Sequence, residues 1–356
     1  MFAVIYLWDV YALPSFGRWI PTAQPVVIRV CAPSVPPRTQ HFSYTCEGQR
    51  AMRALLTTKT ARRALRPIAD LIDQRIERQI RRALGNGSEG GLQRELATLR
   101  NRQRPLELLI DGTGRGVSRM PAQIHLDRAI EELAQVSGDK GGAERNISQA
   151  FRLLIALEAL GVGRIAGGTM NICGKLSAVP LLDPPNDEIL EIGTLYGMFG
   201  AALIRMMERA GRDPRLTIVD PLAGLQLQPG TTEGADPTGT PVRGAAVRAN
   251  LALVGAAGAA ARVQQGFSED PEVRALVSDR SYGVIIVDGD HSASGVAADL
   301  EWAEQIIAPG GIVVLDDFGH PKWPGIKEAF DKHMATDTRL TFLGQVANSG
   351  YLRASA

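Results

Sequence analysis

From Asp187 onward, short runs of buried-strand character alternate with helical segments, and this rhythm limits the fold more than any other feature of the chain. EILEIG precedes a helical pattern from Met198 to Ala210, RLTIVD precedes Val242 to Val254, and ARVQQ precedes Pro271 to Val277. YGVIIVD then leads to Gly295–Ile307, and GGIVVLDD to Gly325–Met334. Alternation at this length predicts a parallel sheet with helices on both faces. The closing RLTFLGQVANSGYLR holds two strand-like runs with no helix between them, so a hairpin should add one antiparallel strand. The expected class is α/β: a doubly wound, mostly parallel sheet, preceded by an amino-terminal helical extension.

Upstream the texture differs. Prolines at 14, 21, 25, 33, 36 and 37 break residues 1–46 into short apolar pieces, which read as a poorly ordered leader. From Thr58 to Leu84, Leu65, Ile68, Ile72, Ile76, Ile80 and Leu84 recur at helical steps among arginines, predicting an amphipathic basic helix. GNGSEGG at 85–91 ends it, and helical patterns resume at Leu92–Arg104, Pro121–Val136 and Asn146–Leu160, with Gly138–Gly142 as a break. The expected divisions are a leader at 1–46, a basic helical extension at 47–140 and a sheet domain at 141–356.

Net charge is only +1, which gives no global attraction to nucleic acid or an anionic membrane. Residues 50–104 nevertheless carry 14 basic against 5 acidic side chains. That stretch lacks interleaved aromatics for base stacking, so nucleic-acid binding is the weaker use for it. Its apolar stripe favours docking on another helix, and with it a homo-oligomer. Three cysteines with no C-x-x-C argue against a disulfide framework or a cysteine zinc site, so a cytoplasmic setting is expected. The longest charge-free apolar run, Ala249–Ala261, is 13 residues, short of the ~20 a membrane helix needs.

The chemistry lies at the strand ends. Glu191-Ile-Gly-Thr-Leu-Tyr-Gly197 closes the first strand and opens its helix, where ligands of parallel sheets bind. Gly193 and Gly197 are spaced G-x-x-x-G rather than G-x-G-x-x-G, which disfavours the alternative of an NAD-dependent oxidoreductase. Glu191 would repel a pyrophosphate but attract a cationic group. Asp220 ends the second strand, placed to take two ribose hydroxyls. Val287-Asp288-Gly289-Asp290-His291 and Leu315-Asp316-Asp317 end two further strands. Adjacent strand ends lie ~4.8 Å apart, so Asp288, Asp316 and Asp317 should converge. Three such carboxylates cannot all stay ionised without a cation, and an all-oxygen set suits Mg²⁺. His291, beside them, is the candidate general base; His320 is the weaker one.

Taken in order, E-I-G-T-L-Y-G, Val219-Asp220, V-D-G-D-H and G-G-x-V-V-L-D-D resemble the class I S-adenosylmethionine-dependent methyltransferases. Within them, the closer resemblance is to the metal-dependent O-methyltransferase branch with macrolide-sugar and cephalosporin-pathway enzymes. It covers roughly residues 145–353 and implies a seven-stranded sheet of order 3-2-1-4-5-7-6. It further implies that Glu191, Gly193 and Thr194 line the methionine end and ribose of S-adenosyl-L-methionine, that Asp220 binds the ribose hydroxyls, and that Phe267 and Ser268 flank the adenine. Asp290 matches a position near the cofactor amine, Asp288, Asp316 and Asp317 match metal ligands, and His291 matches the base. The implied acceptor is a small hydroxylated molecule, a sugar first among them. Pro221–Pro241 departs from the pattern as a Gly/Pro-rich insertion and reads as a lid.

Overall fold

The strands that the alternation predicts pair into one seven-stranded sheet of order β3-β2-β1-β4-β5-β7-β6. The structure is a computed structural model; it describes residues 93–98, 101, 119–223, 236 and 239–355. The leader, the basic helix at 58–84 and most of the Pro221–Pro241 insertion lie outside the described residues. Chain contacts divide the protein into units 1–91 and 92–356, and the second holds everything below.

The strands are β1 (Glu188–Ile192), β2 (Arg215–Asp220), β3 (Arg262–Gln265), β4 (Tyr282–Val287), β5 (Ile307–Leu315), β6 (Leu340–Val346) and β7 (Ser349–Ala354). β1 to β5 pair in parallel, and β7 alone runs antiparallel, to β5 on one side and β6 on the other. The helices are α1 (Gln123–Ser137), α2 (Lys140–Leu160), α3 (Thr169–Leu181), α4 (Met198–Arg209), α5 (Gly244–Ala252), α6 (Ala256–Ala259), α7 (Pro271–Val277), α8 (Ala293–Ile306) and α9 (Pro324–Met334).

Strand period sorts the core into two layers. On β4, Val284 and Ile286 face one cluster with residues of α1 to α5, whereas Ile285 and Val287 face the other with α7, α8 and α9. A strand buried on both faces reads as a continuous apolar run, as YGVIIV does.

Two local expectations are corrected. The glycine-rich break ends before Gly141: Gly138 closes α1 in the left-handed region at φ 74°, and Asp139 then caps α2 by accepting from the Gly142 N–H at 2.9 Å. Helix α3 escaped the periodic reading because residues 171 to 179 are all buried. A helix covered on every side has no polar face to betray it.

The loop between α2 and α3 is fixed by a buried ion pair. Arg119 donates to both Glu158 oxygens, at 2.9 and 2.6 Å, and to the carbonyls of Ile165 and Gly167. Removing one partner of such a pair leaves the other charge buried, which costs about 3–5 kcal/mol. Arg119→Ala is therefore expected to lower the thermal midpoint by several degrees, measured by circular dichroism; an unshifted midpoint would show that the pair contributes nothing.

Candidate active site

The carboxyl ends of β1, β2, β4 and β5 border a cleft of about 1230 Å³. Backbone hydrogen bonds carry the sheet one step past its strands: Gly193 N–H to Val219 O, Asp288 N–H to Ile192 O and Asp316 N–H to Val287 O. The acidic tips are thereby held in register. Glu191, Gly193, Thr194, Asp220, Phe267, Ser268, Asp288, Asp290, His291, Asp316 and Asp317 all line this one cleft, with His320. Gly197 does not; it caps α4 at φ 74°, where a Cβ would stand 2.8 Å from Val247 Cγ1.

At the β1–β2 end, Asp220 anchors the turn of the first motif. Its Oδ2 accepts from the Thr194 and Leu195 N–H groups at 2.7 and 3.2 Å, and its Oδ1 from Leu222 N–H at 2.7 Å. Oδ2 is thereby filled, while Oδ1 retains one lone pair. Glu191 is buried, its Oε2 lacks a hydrogen-bond partner among the described residues, and burial pushes its carboxyl up to about 8. Thr194 Oγ1 is likewise unpartnered. Asp290 is engaged locally instead: it accepts from Ser292 N–H and Oγ, and Ser292 caps α8.

The sequence reading missed Asp299. On α8 it shares the inward face of Val296, Leu300 and Ala303, both of its oxygens are buried without a hydrogen-bond partner among the described residues, Oδ1 lies 4.0 Å from the Arg274 guanidinium, and burial raises its carboxyl to about 6. It lines the cleft beside Phe267 and Ser268. A carboxylate at an apolar-face position was the available signal.

At the β4–β5 end the three carboxylates converge as expected, but they already have a cation. Lys175, from α3, places Nζ 2.6 Å from Asp316 Oδ1 and 3.2 Å from Asp288 Oδ2, and 4.8 Å over the Phe199 ring. Asp316 Oδ1 also accepts from Asn171 Nδ2 at 2.7 Å and lies 3.2 Å from the Ser349 hydroxyl, which bridges to Asn171 Oδ1. Burial alone would lower the Lys175 pKa, but the two aspartates outweigh it and hold the ammonium charged. Burial raises Asp316 too, yet Lys175 and its hydrogen bonds bring it down to about 2. Asp317 sits at φ 50°; burial and the neighbouring Asp316 and Asp288 raise it to about 6.

The expected metal site is not confirmed. Among the described residues, no group of three or more His, Cys, Asp or Glu is arranged to hold a metal ion. One oxygen of the cluster, Asp316 Oδ1, is taken up by Lys175, Asn171 and Ser349. The residues present do not fit a divalent ion. Neither Lys175 nor Asn171 was singled out by the sequence reading, although Lys175 is the one charged residue between Arg164 and Asp183.

His291 stands between two of the carboxylates, Nε2 3.4 Å from Asp288 Oδ1 and Nδ1 3.7 Å from Asp317 Oδ2. Neither nitrogen has a hydrogen-bond partner among the described residues. The Trp323 ring packs edge-on against the imidazole at 5.1 Å. Burial opposes its charge, but Asp288 and the other carboxylates prevail and its pKa is raised.

Comparison with known proteins bears on this arrangement directly. Residues 190–318, from β1 past the Asp316–Asp317 tip, match the family model of a methyltransferase domain. The sheet order is the one that the class I resemblance implies. No curated protein matches the chain's sequence. Among solved structures, the chain is similar to the O-methyltransferase TomG from Streptomyces achromogenes, at 15% identity over 59% of this chain and 90% of that one, with a TM-score of 0.38. It is similar to CalS11, a calicheamicin methyltransferase, at 18% identity over 66% and 94%, with a TM-score of 0.39. An O-methyltransferase from Bacillus cereus in complex with SAH matches at 17% identity over 66% and 91%, with a TM-score of 0.36. No helix among the described residues is long and apolar enough to cross a membrane.

Proposed function

We propose that this chain is an S-adenosyl-L-methionine-dependent O-methyltransferase acting on a hydroxyl of a small polyhydroxylated molecule, with a sugar as the first acceptor to test. The observation that carries the reading is His291: a buried imidazole lining the cleft, its two nitrogens without a hydrogen-bond partner among the described residues and 3.4 and 3.7 Å from Asp288 and Asp317. A hydroxyl holds its proton at neutral pH, so transfer to oxygen needs a base positioned in this way.

The cofactor fits the orphaned polar atoms at the other end. Glu191 Oε2 and Thr194 Oγ1 suit the charged methionine end, the spare lone pair on Asp220 Oδ1 suits a ribose hydroxyl, and Asp299 with Phe267 and Ser268 suits a purine. When bound, the cofactor supplies an activated sulfonium methyl. The protein's task is to orient the acceptor and remove its proton. His291 takes that proton on a ring nitrogen as the oxygen bonds to the methyl carbon and the carbon–sulfur electron pair returns to sulfur. Asp288 and Asp317 stabilise the imidazolium so formed. No step is assigned to a metal.

Isothermal titration should show S-adenosylhomocysteine binding and no NADH binding. Labelled donor should then transfer methyl into a panel of polyols, glycosides and catechols. NADH binding without S-adenosylhomocysteine binding would reverse the assignment. Asp220→Ala should weaken S-adenosylhomocysteine about 10–100-fold, the value of lost hydrogen bonds to a charged group; unchanged affinity would move the cofactor elsewhere.

A further inference from the structure

We propose that Lys175 is the permanent counter-cation of the Asp288–Asp316 pair and stands in for a divalent metal, so that this chain transfers methyl groups without one. For its catalytic consequence the inference rests on the methyltransferase reading.

Lys175 is 1% exposed, and burying an unpaired charge costs several kcal/mol. Here its ammonium is met by Asp316, by Asp288 and by the face of Phe199. The arrangement reaches further: Asn171 and Ser349, from α3 and β7, fix the same Asp316 oxygen. Five elements, α3, α4, β7 and the tips of β4 and β5, thus build the pocket around one cation. A magnesium ion would bind carboxylate oxygens at ~2.0–2.1 Å, in the space the ammonium fills and against its charge.

A lysine cannot do all that a metal does. Its charge is fixed, but it offers no open position to chelate two substrate oxygens. Its effect passes through Asp288, whose Oδ2 it holds while Oδ1 faces His291. Lys175 is in this sense a positioning residue. An acceptor then has no need of a vicinal diol: a single hydroxyl within reach of His291 suffices.

The test uses the full chain stripped with EDTA, with Mn²⁺ as the probe, followed by electron paramagnetic resonance. Wild type should bind no stoichiometric Mn²⁺ below about 1 mM, the weak end of protein sites for hard cations. Its methyl transfer should be the same in EDTA and in Mg²⁺. Lys175→Ala should gain one Mn²⁺ site, lost again when Asp316→Asn is added. Lys175→Arg, which keeps the charge and guards against a misfolded alanine variant, should gain none. One Mn²⁺ bound by wild type and abolished by Asp316→Asn overturns the proposal. So does a folded Lys175→Ala protein that binds S-adenosylhomocysteine and takes no Mn²⁺. Failure of wild type to bind S-adenosylhomocysteine would instead remove the methyltransferase reading, leaving the Mn²⁺ arms to decide the role of the lysine.

Discussion

His291→Ala should lower methyl transfer by about 10²–10⁴-fold, the usual contribution of a positioned general base, while leaving S-adenosylhomocysteine affinity unchanged. The separation of effects follows from the geometry. His291 contacts the Asp288–Asp317 end of the cleft and Trp323, whereas the cofactor is assigned to the Glu191–Asp220–Asp299 end. The alanine also leaves Asp288 and Asp317 without the imidazole between them, so folding needs its own check by thermal melting. His291→Gln serves as a second variant: it fills similar space and keeps polar atoms between the carboxylates, yet it cannot take a proton at neutral pH. Both variants should lose kcat with little change in the affinity for donor. If the glutamine variant retained wild-type turnover, the proton would have to leave by another route and His291 would be no more than packing. If both variants lost donor binding in proportion to activity, the imidazole would belong to the cofactor pocket.

How far the site was legible depended on what kind of signal each residue leaves. Strand ends are legible because a buried strand is an apolar run, and a carboxylate that stops it stands out; Asp220, Asp288, Asp316 and Asp317 were found in that way, and all reach the cleft. The alternation gave a mostly parallel sheet, whereas the strand order came only from the family resemblance, and the observed order agrees with it. Helix α3 left no such mark. Its buried residues run without a polar face, and its functional members, Asn171 and Lys175, are separated from the strand tips by more than 100 positions in the chain. Proximity of that kind is set by packing of α3 over the sheet, which local pattern does not encode. The consequence was chemical: convergence of three acids correctly implied a cation, but the cation was supplied by a helix that had not been read. Asp299 was hidden for the opposite reason, as one polar residue inside a pattern that was recognised as apolar.

Gly193→Ala is expected to destabilise the domain by roughly 2–5 kcal/mol, combining a left-handed backbone for a residue with a Cβ and an overpacked contact. Gly193 sits at φ 82°, and an added Cβ would stand 2.0 Å from the Asp288 carbonyl oxygen and 2.8 Å from Gly289 Cα. Those atoms are backbone of the neighbouring strand end, so no rotamer change relieves the clash; either the β1 turn or the β4 tip has to move. The same residue therefore joins the two halves of the cleft, since one side of the contact leads to Thr194 and Asp220 and the other to Asp288 and His291. A control separates the two components. Gly211 has nearly the same φ, 78°, with nothing within 4 Å of its virtual Cβ, so Gly211→Ala should incur only the backbone cost of about 1–2 kcal/mol. For a domain of this size, 1 kcal/mol corresponds to roughly 2–4 °C in Tm, which puts Gly193→Ala about 5–15 °C below wild type and Gly211→Ala only a few degrees below. Equal shifts in the two variants would mean that the close approach of the β1 turn to the β4 tip exerts no steric demand, and that the left-handed conformation alone requires glycine there. A larger loss at Gly193, accompanied by weaker S-adenosylhomocysteine binding, would show the turn to be the common support of the cofactor end and the proton-transfer end.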